Sequence, residues 1–66
     1  MKNIIINVDS GKWLVREAYS MDDALNAVAM ARCTGSVGSK NLVNDKVVAD
    51  VVRLNDDGTE RKPYAA

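Results

Sequence analysis

The apolar positions of this chain repeat with two different periods, and the switch between them outlines a fold. In "KNIIINV", Lys2 to Val8, Ile4, Ile6 and Val8 alternate with Asn3, Ile5 and Asn7. A period of two marks a strand with one buried face. "DSGK" follows with turn-forming residues, and "WLVREAY", Trp13 to Tyr19, resumes the alternation. With Asp9 facing Lys12 across a two-residue turn, Trp13 and Val15 fall beside Val8 and Ile6 on one face. Turn chemistry and hydrophobic pattern thus predict the same hairpin register.

Between Tyr19 and Gly35 the period lengthens. Met21, Ala24, Leu25, Val28 and Ala31 or Arg32 recur at helical spacing. Ser20 is a suitable N-cap, and Asp23 three residues on completes a pair like a capping box. Asp22 and Asp23 suit the positive end of the helix dipole. Tyr19 and Ala24 stand at the two positions of a hydrophobic staple. Arg32 suits the last turn, and Gly35 the left-handed residue beyond it. The many alanines predict a helix able to lie close on a sheet.

Residues 35–45 are polar and contain two glycines, which predicts a loop, with a short helical turn at "SKNLVND", Ser39 to Asp45. "KVVADVVRL", Lys46 to Leu54, alternates Val47, Ala49 and Val51 against Val48, Asp50 and Val52. Its β-branching and length favour a strand over the alternative, a helix through Val43, Val47, Val51 and Leu54. "NDDG", Asn55 to Gly58, is a turn. "TERKPYAA" reads as a short edge strand or a fraying tail, and Pro63 bars it from the middle of a sheet.

The expected architecture is α+β: one domain over 1–66, in the order β-β-α-β-(β), with three or four antiparallel strands and one helix packed on one face. Ile4, Ile6, Val8, Trp13, Val15, Leu25, Val28, Val47 and Val51 are the expected core. Asn3, Ile5, Asn7, Leu14 and Arg16, with Val48 or Val52, are assigned to the other face. That face is more apolar than solvation requires, and such a patch is how a small protein offers a partner surface.

Composition narrows the reading. In 66 residues there is no Phe, one Trp and two Tyr, so the core must be aliphatic. A domain of this size buries only about 60% of its unfolded surface, which leaves little room for a deep cleft. Nine basic residues balance nine acidic ones, so no global charge points to nucleic acid or an anionic membrane. The lone cysteine, Cys33, excludes an intrachain disulfide and fits a reducing compartment. The apolar run Ile4–Ile6 is too short for a signal peptide or a membrane span. Met1 is read as the native start and the chain as cytoplasmic, in a bacterial host.

Catalysis finds no support in the residues. Without His, the most versatile acid–base near neutral pH is missing. Cys33 has no His to ionise it, sits at the helix end that disfavours a thiolate, and is expected to be a small buried or half-buried residue. Asp22 and Asp23 are explained by a helix start, Asp56 and Asp57 by a turn. The alternating ligands of a calcium loop are absent around Asp56, Asp57 and Glu60. The expectation is a chain that is no enzyme and takes no cofactor or metal.

"CTGSVGSK", Cys33 to Lys40, has the one motif-like spacing. It is no P-loop, because its glycines are three apart, Ser39 separates Gly38 from Lys40, and it follows a helix. Gly35-Ser36-Val37-Gly38 has the form G-x-x-G and, after a hairpin and a helix, resembles part of a KH domain. That resemblance implies a backbone clamp on single-stranded nucleic acid by Gly35 and Gly38, with Lys40 supplying charge. The departures are Ser36 and Val37 where a basic residue is usual, and Asn41 where an apolar one is. A helix stop followed by a loop is the preferred reading.

Asp45, Asp50, Asp56, Asp57 and Glu60 concentrate acid late in the chain. Asp50, Asp56, Asp57 and Glu60 are the candidate contacts for a basic partner surface, where charge gives steering and specificity. The layout as a whole resembles small phage-encoded proteins, anti-CRISPR inhibitors among them. The residues concerned are the hairpin return Gly11, Lys12, Trp13 and Val15, the "EAYS" junction Glu17–Ser20, the helix opened by Ser20 and Asp23, and Asp57-Gly58 before Arg61 and Lys62. The resemblance implies a non-enzymatic inhibitor that binds a bacterial defence complex, such as a CRISPR effector, and blocks its nucleic-acid site. The leading expectation is therefore a protein-binding module. The alternatives are a KH-like nucleic-acid binder using residues 35–40, and a structural homodimer joined through an exposed strand edge.

Overall fold

The computed structural model describes residues 1–9 and 11–63. Strand β1 (Ile4–Val8) and strand β2 (Gly11–Ala18) form the first hairpin, and helix α1 (Met21–Thr34) follows. Strand β3 (Gly38–Val43) and strand β4 (Lys46–Leu54) form a second hairpin. The four strands make one antiparallel sheet in the order β1-β2-β4-β3, with β2 and β4 at its centre. The fold is thus α+β with four strands and one helix, as the pattern of the chain predicts. Among the described residues no helix is long and apolar enough to cross a membrane.

The first hairpin turns one residue earlier in the chain than expected, with two residues still between its strands. Val8 pairs with Gly11, Ile6 with Trp13 and Ile4 with Val15. Asp9 does not face Lys12; it takes the left-handed conformation itself, with φ 52°. Asp tolerates that region better than most residues, because its short polar side chain can bond locally. Since the register moves by an even number of positions, every side chain keeps its expected face.

Both helix ends form as expected. The Ser20 hydroxyl accepts the Asp23 N–H at 3.2 Å and donates to the Asp23 carboxylate at 2.8 Å. Gly35, at φ 72°, closes the far end: its N–H reaches the Arg32 carbonyl and the Ser36 N–H reaches that of Ala31, at 3.3 and 2.8 Å. This pair of bonds is the Schellman motif, which needs a left-handed residue just past the helix. The hydrophobic staple does not bury its outer partner, since Tyr19 is 87% exposed.

The fourth strand lies elsewhere than predicted. Residues 38–43, read as a loop with a helical turn, are strand β3, and Asn44 and Asp45 turn the chain into β4. β4 has the predicted bounds. The polar, glycine-opened sequence of β3 carries no strand pattern of its own; it is extended because β4 offers it a ladder, a case of tertiary context overriding propensity. The tail contributes a single bridge, Glu60 to Leu54, with the Arg61 N–H bonded to the Arg53 carbonyl at 2.9 Å. It continues along β4 where β3 ends; residues 64–66 of the predicted tail lie outside the described residues.

The core departs from expectation at its helical face. Ala24, Ala27, Val28 and Ala31 are buried against Trp13, Val15, Ala18, Ala49 and Val51. Leu25 is 44% exposed and Val47 only half-buried. Three alanines let the helix approach the sheet closely, and it lies over β4, β3 and β2. No helix Cα comes within 8 Å of a β1 Cα among the described residues. Leu25, on the flank nearer β1, therefore overhangs an uncovered strand. Cys33 is exposed, because the same rotation of the helix turns it to solvent.

The alanine seam can be tested directly. Ala27→Leu should overpack the interface and destabilise the fold by about 1–3 kcal/mol. Leu25→Ala, at an exposed position, should change stability far less. Urea unfolding midpoints of the two variants should rank in that order.

Candidate functional site

The sheet has one face under the helix and one bare face, and the register determines what the bare face carries. Trp13 and Val15 point to the helix, so Leu14 points away from it. Ile5 pairs with Leu14, Leu14 with Val52, and Val52 with Gly38. One transverse apolar row thus crosses all four strands. On one side Asn7 pairs with Lys12, and Lys12 with the buried Leu54. On the other side Asp50 pairs with Lys40 beside Arg16 and Glu17.

The row ends in a shallow hollow over Gly38, lined by Arg16, Lys40, Asp50, Val52, Glu60 and Pro63 among others. A Cβ at position 38 would stand 2.7 Å from the Val51 carbonyl oxygen, so β3 could not lie this close to β4 with any larger residue. Gly38 is therefore required by close approach, not by a glycine loop.

Arg16 organises the rim. The register shifts between Val15 and Glu17, which leaves Arg16 as the extra residue of a β-bulge, a feature that re-aims side chains. Its guanidinium pairs with the Asp50 carboxylate at 3.7 Å and with that of Glu60. Glu17 and Asp50 stand directly opposite across the ladder, an unfavourable like-charge pair that Arg16 offsets. One cation thereby joins β2, β4 and the tail.

The four acidic positions singled out by sequence separate into different roles. Asp50 and Glu60 meet at Arg16, at the edge of the hollow. Asp57 is a turn residue: its carboxylate accepts the Thr59 hydroxyl at 2.6 Å and the Thr59 N–H at 3.0 Å. Those bonds, the hydroxyl first, hold its pKa below the ordinary 3.8. Asp56 is exposed in the same turn. Of the three positions in the G-x-x-G reading, Gly35 caps the helix, Gly38 opens a strand and Lys40 lies exposed on that strand. The second helix of a KH arrangement is replaced by β3. Among the described residues no three His, Cys, Asp or Glu side chains gather as a metal site.

The hollow was not visible in the chain, because it needs β3 beside β4. The alternation of Ile5, Leu14 and Val52 with buried neighbours was its only sequence signal, and Arg16 had none beyond its place on that face.

Two outcomes follow. Arg16→Ala should release the tail, seen as faster hydrogen exchange at the Arg61 amide, while global stability changes by less than about 1 kcal/mol, the range of exposed ion pairs. Because the Asp57 pKa is lowered by folding, its bonds to Thr59 are fully present above the unfolded value and are lost as pH falls through the folded one. The Thr59 amide resonance should therefore report a titration below the ordinary carboxylate range, and Asp57→Asn should abolish it.

Compared with protein-family models, curated proteins and solved structures, the chain shows a match to none of them.

Proposed function

We propose that this chain is a non-enzymatic protein-binding module that docks through the bare face of its sheet. The observation that supports this reading is the apolar row on the face away from the helix, in which Ile5 is exposed, Leu14 half-buried and Val52 buried beside a charge-rimmed hollow. An apolar centre inside a polar rim is the anatomy of a protein interface. The Gly38 hollow would receive one apolar or aromatic side chain of the partner, with Val52 as its floor. Arg16, Asp50 and Glu60, already ordered by one another, would meet the partner's polar groups with little further ordering. Asp56, exposed at the sheet end, would act at longer range, on association rate more than on affinity.

The finer reading carries over the resemblance to small phage proteins. In it the partner is a bacterial defence complex, and the module occupies a groove that otherwise holds nucleic acid. The acidic residues along β4 and its turn suit a basic groove of that kind, and the work would be done in the cytoplasm of the host.

The test is capture of partners from bacterial lysate by the tagged chain, with and without nuclease, followed by measured affinities for the partner recovered. A nuclease-resistant protein bound in stoichiometric amount is expected. Leu14→Lys should weaken it at least tenfold, and Asp56→Lys should slow association and change its salt dependence. Recovery of nucleic acid alone, or a partner indifferent to Leu14→Lys, would overturn the reading.

A further inference from the structure

The two edges of the sheet are unequally protected. Edge strands are usually guarded by charge, by bulges or by covering segments, since their outward N–H and C=O groups invite pairing. β3 has two of these guards. Lys40 lies within it, and its register breaks between Asn41 and Leu42. β1 has neither. Its five residues, Ile-Ile-Ile-Asn-Val, contain no charge, no proline and no bulge in their pairing with β2.

β1 is also the strand the helix leaves uncovered. Ile4, Ile6 and Val8 point to the helix side and are only partly buried. The flank of α1 nearer β1 is identified by Arg32, which pairs with Asp9 at the end of that strand. Met21 and Leu25 share this flank at spacings of eleven and seven residues, and they are 39% and 44% exposed. An open edge thus runs beside an apolar shelf with isoleucine and valine on its floor and methionine and leucine on its wall.

The strand's ends say what fits there. Asn3 and Asp9, immediately outside β1, both take positive φ, 57° and 52°. Extended pairing therefore stops at the same distance on either side of Ile6. A matching segment must be about five residues long, must place apolar side chains at its first, third and fifth positions, and must be bounded at both ends. β1 itself meets those conditions. We infer that β1 is the interface of a symmetric homodimer, in which the β1 strands of two copies pair antiparallel about a two-fold axis through Ile6.

In this register Ile4 of each copy stands opposite Val8 of the other, and the two Ile6 side chains meet at the axis. Even positions pair with even, so the helix-side face continues from one copy into the next and the shelves join. On the bare face Ile5 stands opposite Asn7 of the second copy. Lys2 and Asp9 lie at opposite ends of the strand, so antiparallel pairing brings unlike charge together at both ends. The interface is isologous and closes on itself, which consumes both open edges without starting a fibre. Leu42 and Val43 are also exposed on β3, but beyond its bulge and beside the Asn44–Asp45 turn. This inference is independent of the partner proposed for the bare face, since it uses the strand edge.

The test is sedimentation equilibrium of the full chain across a dilution series. The wild type should weigh twice its 7.2 kDa at a hundred micromolar and dissociate on dilution. A wild type that stays monomeric at that concentration overturns the inference. Ile5 and Asn7 are exposed in the monomer, so the fold tolerates charge at both positions. Ile5→Lys with Asn7→Lys sets lysine against lysine twice across the axis and should give a monomer with an unchanged circular dichroism spectrum. Ile5→Lys with Asn7→Glu sets lysine against glutamate and should restore the dimer. A dimer that survives the double-lysine variant, or one that the charge-matched variant fails to restore, places the contact elsewhere or in another register and overturns the assignment.

Discussion

The close seat of the helix on the sheet is the constraint on which the rest depends. Ala24, Ala27 and Ala31 present almost no side chain to β2 and β4, so the helix settles near them and Trp13 becomes the largest fully buried group. Close packing of small against large residues is one way to reach interior density without phenylalanine. The consequence is lateral. A helix held close over two central strands, and inclined toward β3, has no reach left for β1. Of the eight large apolar side chains exposed among the described residues, Met21 and Leu25 line that gap and Ile5 sits on the uncovered strand.

A second consequence is the unequal treatment of the two faces. Under the helix, Trp13 stacks below the Arg53 guanidinium, 5.7 Å from ring centroid to its central carbon. That guanidinium fills the space that a side chain at Gly11 would need, with a Cβ there falling 2.8 Å from the same carbon. Position 11 is thus glycine because an arginine of the adjacent strand lies over it. On the other face no described element takes the helix's place. Val52 and Leu54 are nonetheless buried there, Leu14 is half-buried, and Ile5 stays exposed.

Local signals in the chain proved readable wherever short-range chemistry decides the structure. Ser20 and Asp23 mark the helix start, Gly35 its end, and Lys46–Leu54 a strand, because capping bonds and β-branching act within a few residues. β3 was unreadable for the opposite reason. Gly38, Ser39, Lys40 and Asn41 have no strand preference, and only the neighbouring β4 makes them one. Leu25 differs from expectation because helical spacing alone cannot tell which of two adjacent apolar stripes faces the sheet; the alanines do lie close on the sheet, as their number predicts. The candidate site shares this limit: Arg16, Asp50 and Glu60 are far apart in sequence and meet only through the bulge in β2 and the return of the tail.

The strand order β1-β2-β4-β3 carries a kinetic meaning. Each hairpin joins consecutive strands through a short turn, and the helix forms from its own caps, so these three pieces can appear within microseconds. The β2–β4 seam alone joins strands that are not consecutive, with the helix and β3 between them. Its formation closes the longest loop in the sheet and carries most of the contact order, which makes it the slow step of folding. Two preformed hairpins that meet late along one seam are also interchangeable between molecules. The seam is therefore where a chain synthesised beside its copies would exchange halves with a neighbour, in competition with the closure favoured by the tether between its own hairpins.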